Sequence, residues 1–194
     1  MNLTDKHILI TGASSGLGLS IAKQLLEKKA LVTILSRNLP KLEQLKSQLN
    51  SQNLSTYGCD ITDPTQVNEM ASKLTDLDIL INCAGIWLEG RLETYSSEQI
   101  QQTLNINLLG TILVTKSLLP ILLKKDQSII VNTSSTSGLI PKPEQSVYCA
   151  SKFGIQGFTE ALKQENWDKS IHIIGFYPGG MDTGFHQKTC IGKD

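Results

Sequence analysis

Thr11-Gly12-Ala13-Ser14-Ser15-Gly16-Leu17-Gly18 is the stretch from which the fold can be read. The run before it, His7 to Ile10, is short and apolar and reads as a strand. The segment after it carries Leu17, Ile21, Ala22, Leu25 and Leu26 on one stripe and reads as a helix. Glycines at a strand-to-helix junction have separate uses. Gly12 permits a tight turn, Gly16 lets an anionic group approach the backbone, and Gly18 lets helix and strand pack closely. The helix start then offers free N–H groups and the positive end of the helix dipole. A strand, this loop and a helix in that order predict a dinucleotide pyrophosphate site built from Gly12, Ser14, Ser15, Gly16, Leu17 and Gly18.

The same alternation continues along the chain. Apolar runs at Leu31–Leu35, Ser55–Cys59, Ile79–Asn82, Ser128–Thr133 and Ile171–Phe176 read as strands. Helices are expected from Pro40 to near Asn50, from Pro64 to before Asp78, over Ser97–Leu104 and Asn107–Lys124, and over Tyr148–Trp167. Strands this apolar need helices on both faces. The expectation is an α/β fold, a doubly wound parallel sheet forming a single domain over residues 1–194.

Composition narrows the function. Forty per cent hydrophobic and nineteen per cent charged residues describe a soluble globular chain. Eighteen basic residues balance eighteen acidic ones, and no basic run exceeds a Lys-Lys pair, which argues against nucleic acid and against an anionic membrane. The longest apolar stretches, such as Leu118–Leu123, are too short to span a bilayer, and no signal-peptide layout opens the chain. Cys59, Cys83, Cys149 and Cys190 are scattered and form no CxxC pair, consistent with reduced thiols in the cytoplasm. His7, His172 and His186 have no metal-ligand spacing, so no metal site is expected.

Tyr148 and Lys152 stand four apart on the long helix and so share a face. An ammonium ~5 Å from a phenol, at an effective dielectric of ~20, favours the phenolate by roughly 3 kcal/mol. On that reasoning Lys152 lowers the pKa of Tyr148 and makes it a usable proton donor or acceptor.

Taken with the glycine loop, these residues resemble the short-chain dehydrogenase/reductase family, whose loop reads TGxxxGxG and whose active site carries YxxxK. Further motifs follow in order. Asp60, with Ile61 beside it, matches the aspartate that contacts adenine. Asn82-Cys83-Ala84-Gly85 resembles NNAG, Asn107 matches an active-site asparagine, and Ser135 stands thirteen residues before Tyr148. Pro178-Gly179-Gly180-Met181-Asp182-Thr183 is similar to a PGxxxT segment that grips the nicotinamide. The resemblance implies strand order 3-2-1-4-5-6, with the usual seventh strand missing from so short a C-terminus. It implies hydride transfer between a nicotinamide and a small carbonyl or alcohol, with Tyr148 exchanging the proton and Ser135 orienting the oxygen. It further implies that Lys152 holds the ribose and that Asn107 holds a water linked to Lys152.

A carboxylate after the second strand would select NAD, because it bonds the ribose 2′-OH. This chain has Ser36-Arg37-Asn38 there and no acid between Leu31 and Pro40. A guanidinium can grip a 2′-phosphate, so NADP(H) is expected over NAD(H). For the substrate, Trp87, Ile140 and Phe185 suggest an apolar pocket. Homodimer assembly through the two long helices is a further implication of the resemblance. Two other functions stay open. One is a dinucleotide-binding regulator or scaffold without turnover, and the other is an acyl-carrier-linked ketoreductase.

Overall fold

Strand alternation splits the core in two. Ile8 and Ile10 point to one face of the first strand and Leu9 to the other, and each set founds its own apolar cluster. The computed structural model describes residues 2–183 and Phe185; His186 and Cys190 lie outside the described residues. Six strands, β1 (His7–Thr11), β2 (Leu31–Ser36), β3 (Leu54–Gly58), β4 (Ile79–Asn82), β5 (Ser128–Thr133) and β6 (Ile171–Phe176), form one sheet in the order β3-β2-β1-β4-β5-β6. All pairings are parallel, and the register places Thr11 beside both Leu35 and Asn82. The expected fold and strand order are both observed.

Helices α1 (Gly16–Glu27) and α2 (Leu39–Leu49) cover the face bearing Ile8, Ile10, Ile34 and Ile81. Helices α3 (Pro64–Ser72), α4 (Ser97–Leu104), α5 (Gly110–Leu122) and α6 (Ser146–Glu165) lie on the other side, where Leu9, Leu80, Val114, Leu118, Ile130 and Leu162 pack together. The helix after Pro64 stops at Ser72, earlier than the sequence suggested. Asp76 and Asp78, beyond its end, are instead drawn into ion pairs with Lys6 and Lys125.

Asn105–Leu109 is a π-helical turn joining α4 to α5, so residues 97–122 run as one helix of 26 residues. That continuous helix is long and apolar enough to cross a membrane, contrary to the reading of its separate pieces. Here Thr103, Ile106, Asn107, Val114, Leu118 and Leu122 are buried within the protein, which is the packing of a core helix.

Strand order reverses between β1 and β4. In open α/β sheets the crevice at such a switch point, beyond the carboxyl ends of the strands, is where ligands bind.

Candidate active site

A cleft of about 560 Å³ opens at that place. Its floor is the glycine loop. Gly12 has φ +68°, and a Cβ there would stand 2.6 Å from the Ala84 Cα, so both the backbone conformation and the close approach require glycine. Gly16 also has positive φ and faces Thr183 across the cleft. A Cβ on Gly18 would stand 3.0 Å from the Ala13 Cα, a tight contact with backbone. Helix α1 begins without a capping side-chain bond and without an acid in its first turn, which leaves its N-terminal dipole open to an anion. Thr11 Oγ1 accepts from the Cys83 and Ala84 N–H groups, both at 3.1 Å, and this ties the ends of β1 and β4 together.

At one end of the cleft the Ser36 hydroxyl donates to Ser14 Oγ at 3.2 Å. Arg37 is 55% exposed, with its guanidinium 4.0 Å from the Asp60 carboxylate. The other Asp60 oxygen accepts from the Thr62 backbone and hydroxyl, fixing the loop after β3. Ile61, Ala84, Gly85, Pro178, Gly179, Met181 and Thr183 all line the cleft.

At the other end stand Ser135, Tyr148 and Lys152, contributed by the segment after β5 and by the first two turns of α6. All three are buried. Ser135 bonds to the Tyr148 phenol, and Lys152 donates to the Thr133 carbonyl at 3.0 Å. The Lys152 ammonium lies 5.7 Å from the Tyr148 ring centre. The electrostatics differ from the sequence reading. Burial pushes the Tyr148 phenol up to about 12, against the opposing pull of the Ser135 hydrogen bond. Burial also drives Lys152 down to about 8. Desolvation therefore outweighs the ammonium–phenol attraction, which the helix spacing alone had suggested would dominate.

Two other expectations need correction. Asn82 does not face the cleft. Strand alternation turns it into the protein, where its amide donates to Thr115 Oγ1 at 3.0 Å and Asn132 Oδ1 at 2.9 Å. Asn107 sits behind the site on the π-helical turn and is spent as a clamp. Its Oδ1 accepts from the Ile86 N–H at 2.8 Å, and its Nδ2 donates to the Ile86 carbonyl at 3.0 Å and Ser151 Oγ at 3.1 Å. Ile140 is 67% exposed and stands outside the cleft lining. Its place is on a surface loop held by its N–H to the Thr136 carbonyl.

Trp87 lines the cleft wall beside Tyr148. Its ring meets Tyr148 edge-on with centres 4.5 Å apart, and Phe185 lies 6.4 Å beyond. Sequence reasoning missed Glu89, Ser137 and Gln145 in this wall. The spacing of Gln145, three residues before Tyr148, is the one signal that could have pointed to it.

A doubly wound sheet with a glycine-cradled crevice at its switch point defines a dinucleotide-binding protein of the Rossmann type. Within that class the chain belongs to the short chain dehydrogenase family, whose model matches residues 6–192. An uncharacterized oxidoreductase of Staphylococcus epidermidis is 32% identical over 193 residues, covering 97% of this chain and 84% of the relative. A 3-dehydrosphinganine reductase of Arabidopsis thaliana is 32% identical over 190 residues, covering 94% and 57% of the two chains. Among solved structures, a serine dehydrogenase in complex with NADP+ superimposes with a TM-score of 0.90 at 26% identity, covering 94% of this chain and 76% of the neighbour. An actinorhodin polyketide ketoreductase with NADPH gives 0.87 at 28%, covering 92% and 72%.

Proposed function

We propose that this member of the family is an NADP(H)-preferring oxidoreductase that reduces a small carbonyl compound to an alcohol. The observation that carries this reading is the meeting, in one cleft, of a glycine cradle and a buried Ser135–Tyr148–Lys152 cluster. The cradle and the open start of α1 fit a pyrophosphate. Arg37, with no competing acid on β2, fits a 2′-phosphate. Solved neighbours hold NADP+, NADPH or NAD and support a nicotinamide dinucleotide, so the preference rests on Arg37.

When bound, the nicotinamide supplies hydride to the carbonyl carbon. The chain's own residues manage the oxygen. Ser135 donates a hydrogen bond to it and fixes its direction. Tyr148 holds a proton firmly at neutral pH, since burial sets its pKa near 12. An alkoxide is a far stronger base than a phenolate, so transfer from Tyr148 to the nascent alkoxide runs downhill. Lys152, anchored on Thr133, stands where its ammonium steadies the phenolate left behind. Asn107 sets the backbone at Ile86 that frames this end of the cleft.

We also propose that the protein is a cytoplasmic homodimer. Leu109 and Phe153, 41% and 39% exposed beside the α5–α6 face, support that pairing surface, which sedimentation tests.

The catalytic reading is tested by NADPH oxidation over a panel of ketones, diketones and quinones. Turnover is expected with at least one of them. Tyr148→Phe is expected to lower kcat at least about a hundredfold while NADPH binding persists. NADPH binding without turnover of any carbonyl would favour a regulatory role, and full activity in Tyr148→Phe would remove the phenol from the reaction.

A further inference from the structure

Two segments flank Tyr148, and one hydroxyl outside the cleft touches both. The segment after β4 supplies Ile86, Trp87 and Glu89 to the cleft lining. The segment ahead of α6 supplies Ser137, Lys142 and Gln145. The two meet where the Gly90 N–H donates to the Glu144 carbonyl at 2.7 Å. Tyr95 closes this junction from outside. Its hydroxyl lies within hydrogen-bonding distance of two carbonyl oxygens, that of Gly90 at 2.5 Å and that of Glu144 at 3.0 Å. A phenol has one proton to donate, so the two carbonyls share it. Tyr95 is half-buried and is not itself part of the cleft lining. Glu144 has φ +59°, a left-handed conformation that a residue with a side chain rarely adopts. Such backbone persists only where its surroundings hold it, and here the contacts made to the Glu144 carbonyl do so.

The junction leads to the reacting groups on both sides. Gly90 follows closely on Trp87, whose ring meets Tyr148 with centres 4.5 Å apart. Glu144 leads directly into Gln145, whose Oε1 accepts from the Ser137 hydroxyl at 3.0 Å. The Ser137 N–H in turn donates to Ser135 Oγ at 3.1 Å. The spacing between the Trp87 wall and the Ser135 wall is therefore tied to one phenol that touches neither. Small displacements at a reacting centre are costly, so a tie of this kind bears on how a substrate is held.

We infer that Tyr95 is a positioning residue whose hydroxyl ties the two cleft walls together at the Gly90–Glu144 junction and so sets the width of the end that the carbonyl substrate enters. The placement of substrate rests on the carbonyl-reductase reading above, and the spacing of the walls does not.

Trp87 reports on the wall. It is 6% exposed, and the second tryptophan, Trp167, is 82% exposed and outside the cleft lining. A Trp167→Phe parent therefore leaves Trp87 as the one tryptophan emitter. Tyr95→Phe in that parent keeps the ring and removes only the hydroxyl. Acrylamide quenching of the Trp87 emission is expected to rise at least about twofold as the walls separate. Gly90→Ala should do the same, because a Cβ there would stand 3.1 Å from Tyr95 Cε1 and push the ring from the junction. NADPH affinity should stay close to that of the parent, since neither segment forms the glycine cradle. Unchanged quenching in both variants overturns the inference. So does a loss of NADPH affinity in both, which would mark Tyr95 as a general support of the fold. Kinetics give the second arm. With 9,10-phenanthrenequinone as substrate, Tyr95→Phe should raise KM about tenfold and leave kcat within about twofold. An unchanged KM, or a fall in kcat at constant KM, overturns the placement of substrate by Tyr95. Should the parent leave the quinone unreduced, the quenching alone decides the inference, and turnover of the wider carbonyl panel decides the reductase reading.

Discussion

Replacing Lys152 by methionine should make the protein more stable and less active. Lys152 is 3% exposed, and burial lowers its pKa from 10.5 to about 8. Each pKa unit is about 1.4 kcal/mol, so the folded protein carries roughly 3 kcal/mol of desolvation cost at neutral pH. Methionine has similar reach and no charge. It forfeits the 3.0 Å bond to the Thr133 carbonyl, worth about 1–2 kcal/mol, so Lys152→Met should gain about 1–2 kcal/mol at pH 7. The sign of the pH dependence follows from linkage. A folded-state pKa below the unfolded value means that the unfolded chain binds more protons between about 8 and 10.5, so wild-type stability rises with pH there and is lost as pH falls through 8. From pH 7 to pH 9 this one group should contribute about 1.3 kcal/mol. Cys59, pushed up to about 11 by burial, works the other way above pH 9. For that reason the quantity to read is the difference between the two proteins, in which Cys59 cancels. Urea unfolding of both at pH 7, 8 and 9, without added nicotinamide, gives it. The advantage of Lys152→Met should shrink by more than 1 kcal/mol across the series, and activity should drop at every pH. A gap that stays constant with pH, or a variant less stable at pH 7, would refute the claim that Lys152 is a desolvated cation held against its own solvation.

Other perturbations follow from the same geometry. Arg37→Asp should reverse the cofactor preference, read as the ratio of KM values for NADPH and NADH, because it sets a carboxylate where a 2′-phosphate would lie. Gly12→Ala should cost at least about 2 kcal/mol in urea unfolding, since its Cβ would press on the Ala84 backbone from a left-handed conformation. Gly157→Ala, in an exposed turn of α6 with nothing within 4 Å of the added methyl, should instead stabilise by roughly 0.5–1 kcal/mol. Asn107→Leu removes three hydrogen bonds and leaves both Ile86 backbone groups unpaired, so a loss of about 2–4 kcal/mol is expected, together with a raised substrate KM.

Much of the fold was legible because its signals are local. Ile79–Asn82, Ser128–Thr133 and Ile171–Phe176 have strand boundaries identical to those read from the apolar runs. Pro64 marks a helix start, and in the structure Asp63 just before it accepts from the Thr65 and Gln66 N–H groups. The ends of helices were harder to place. Whether residues 73–78 continue α3 depends on Lys125, a distant residue that pairs with Asp76 and Asp78. The π-helical turn at Asn105–Leu109 was equally hidden, because it is held by the tie from Asn107 to Ile86, a contact 21 residues away in sequence.

The site divides along the same line. Spacing and residue type located Gly12, Gly16, Ser135, Tyr148 and Lys152, because a phosphate cradle and a proton donor restrict which residues can serve. Spacing could not give the direction of the electrostatics. Two charges one helix turn apart attract in any setting, but that attraction is scaled by solvent, and Tyr148 and Lys152 are almost wholly removed from it. Desolvation then acts on each group separately and in opposite senses, raising the phenol and lowering the amine. The two pKa values draw apart as a result, the phenol to about 12 and the amine to about 8. A phenol that keeps its proton at neutral pH, beside an amine that holds its own only weakly, is an arrangement suited to delivering a proton to a nascent alkoxide. Both shifts therefore depend on the burial of α6 against the sheet, a property of the assembled protein that the Tyr-Lys spacing cannot express.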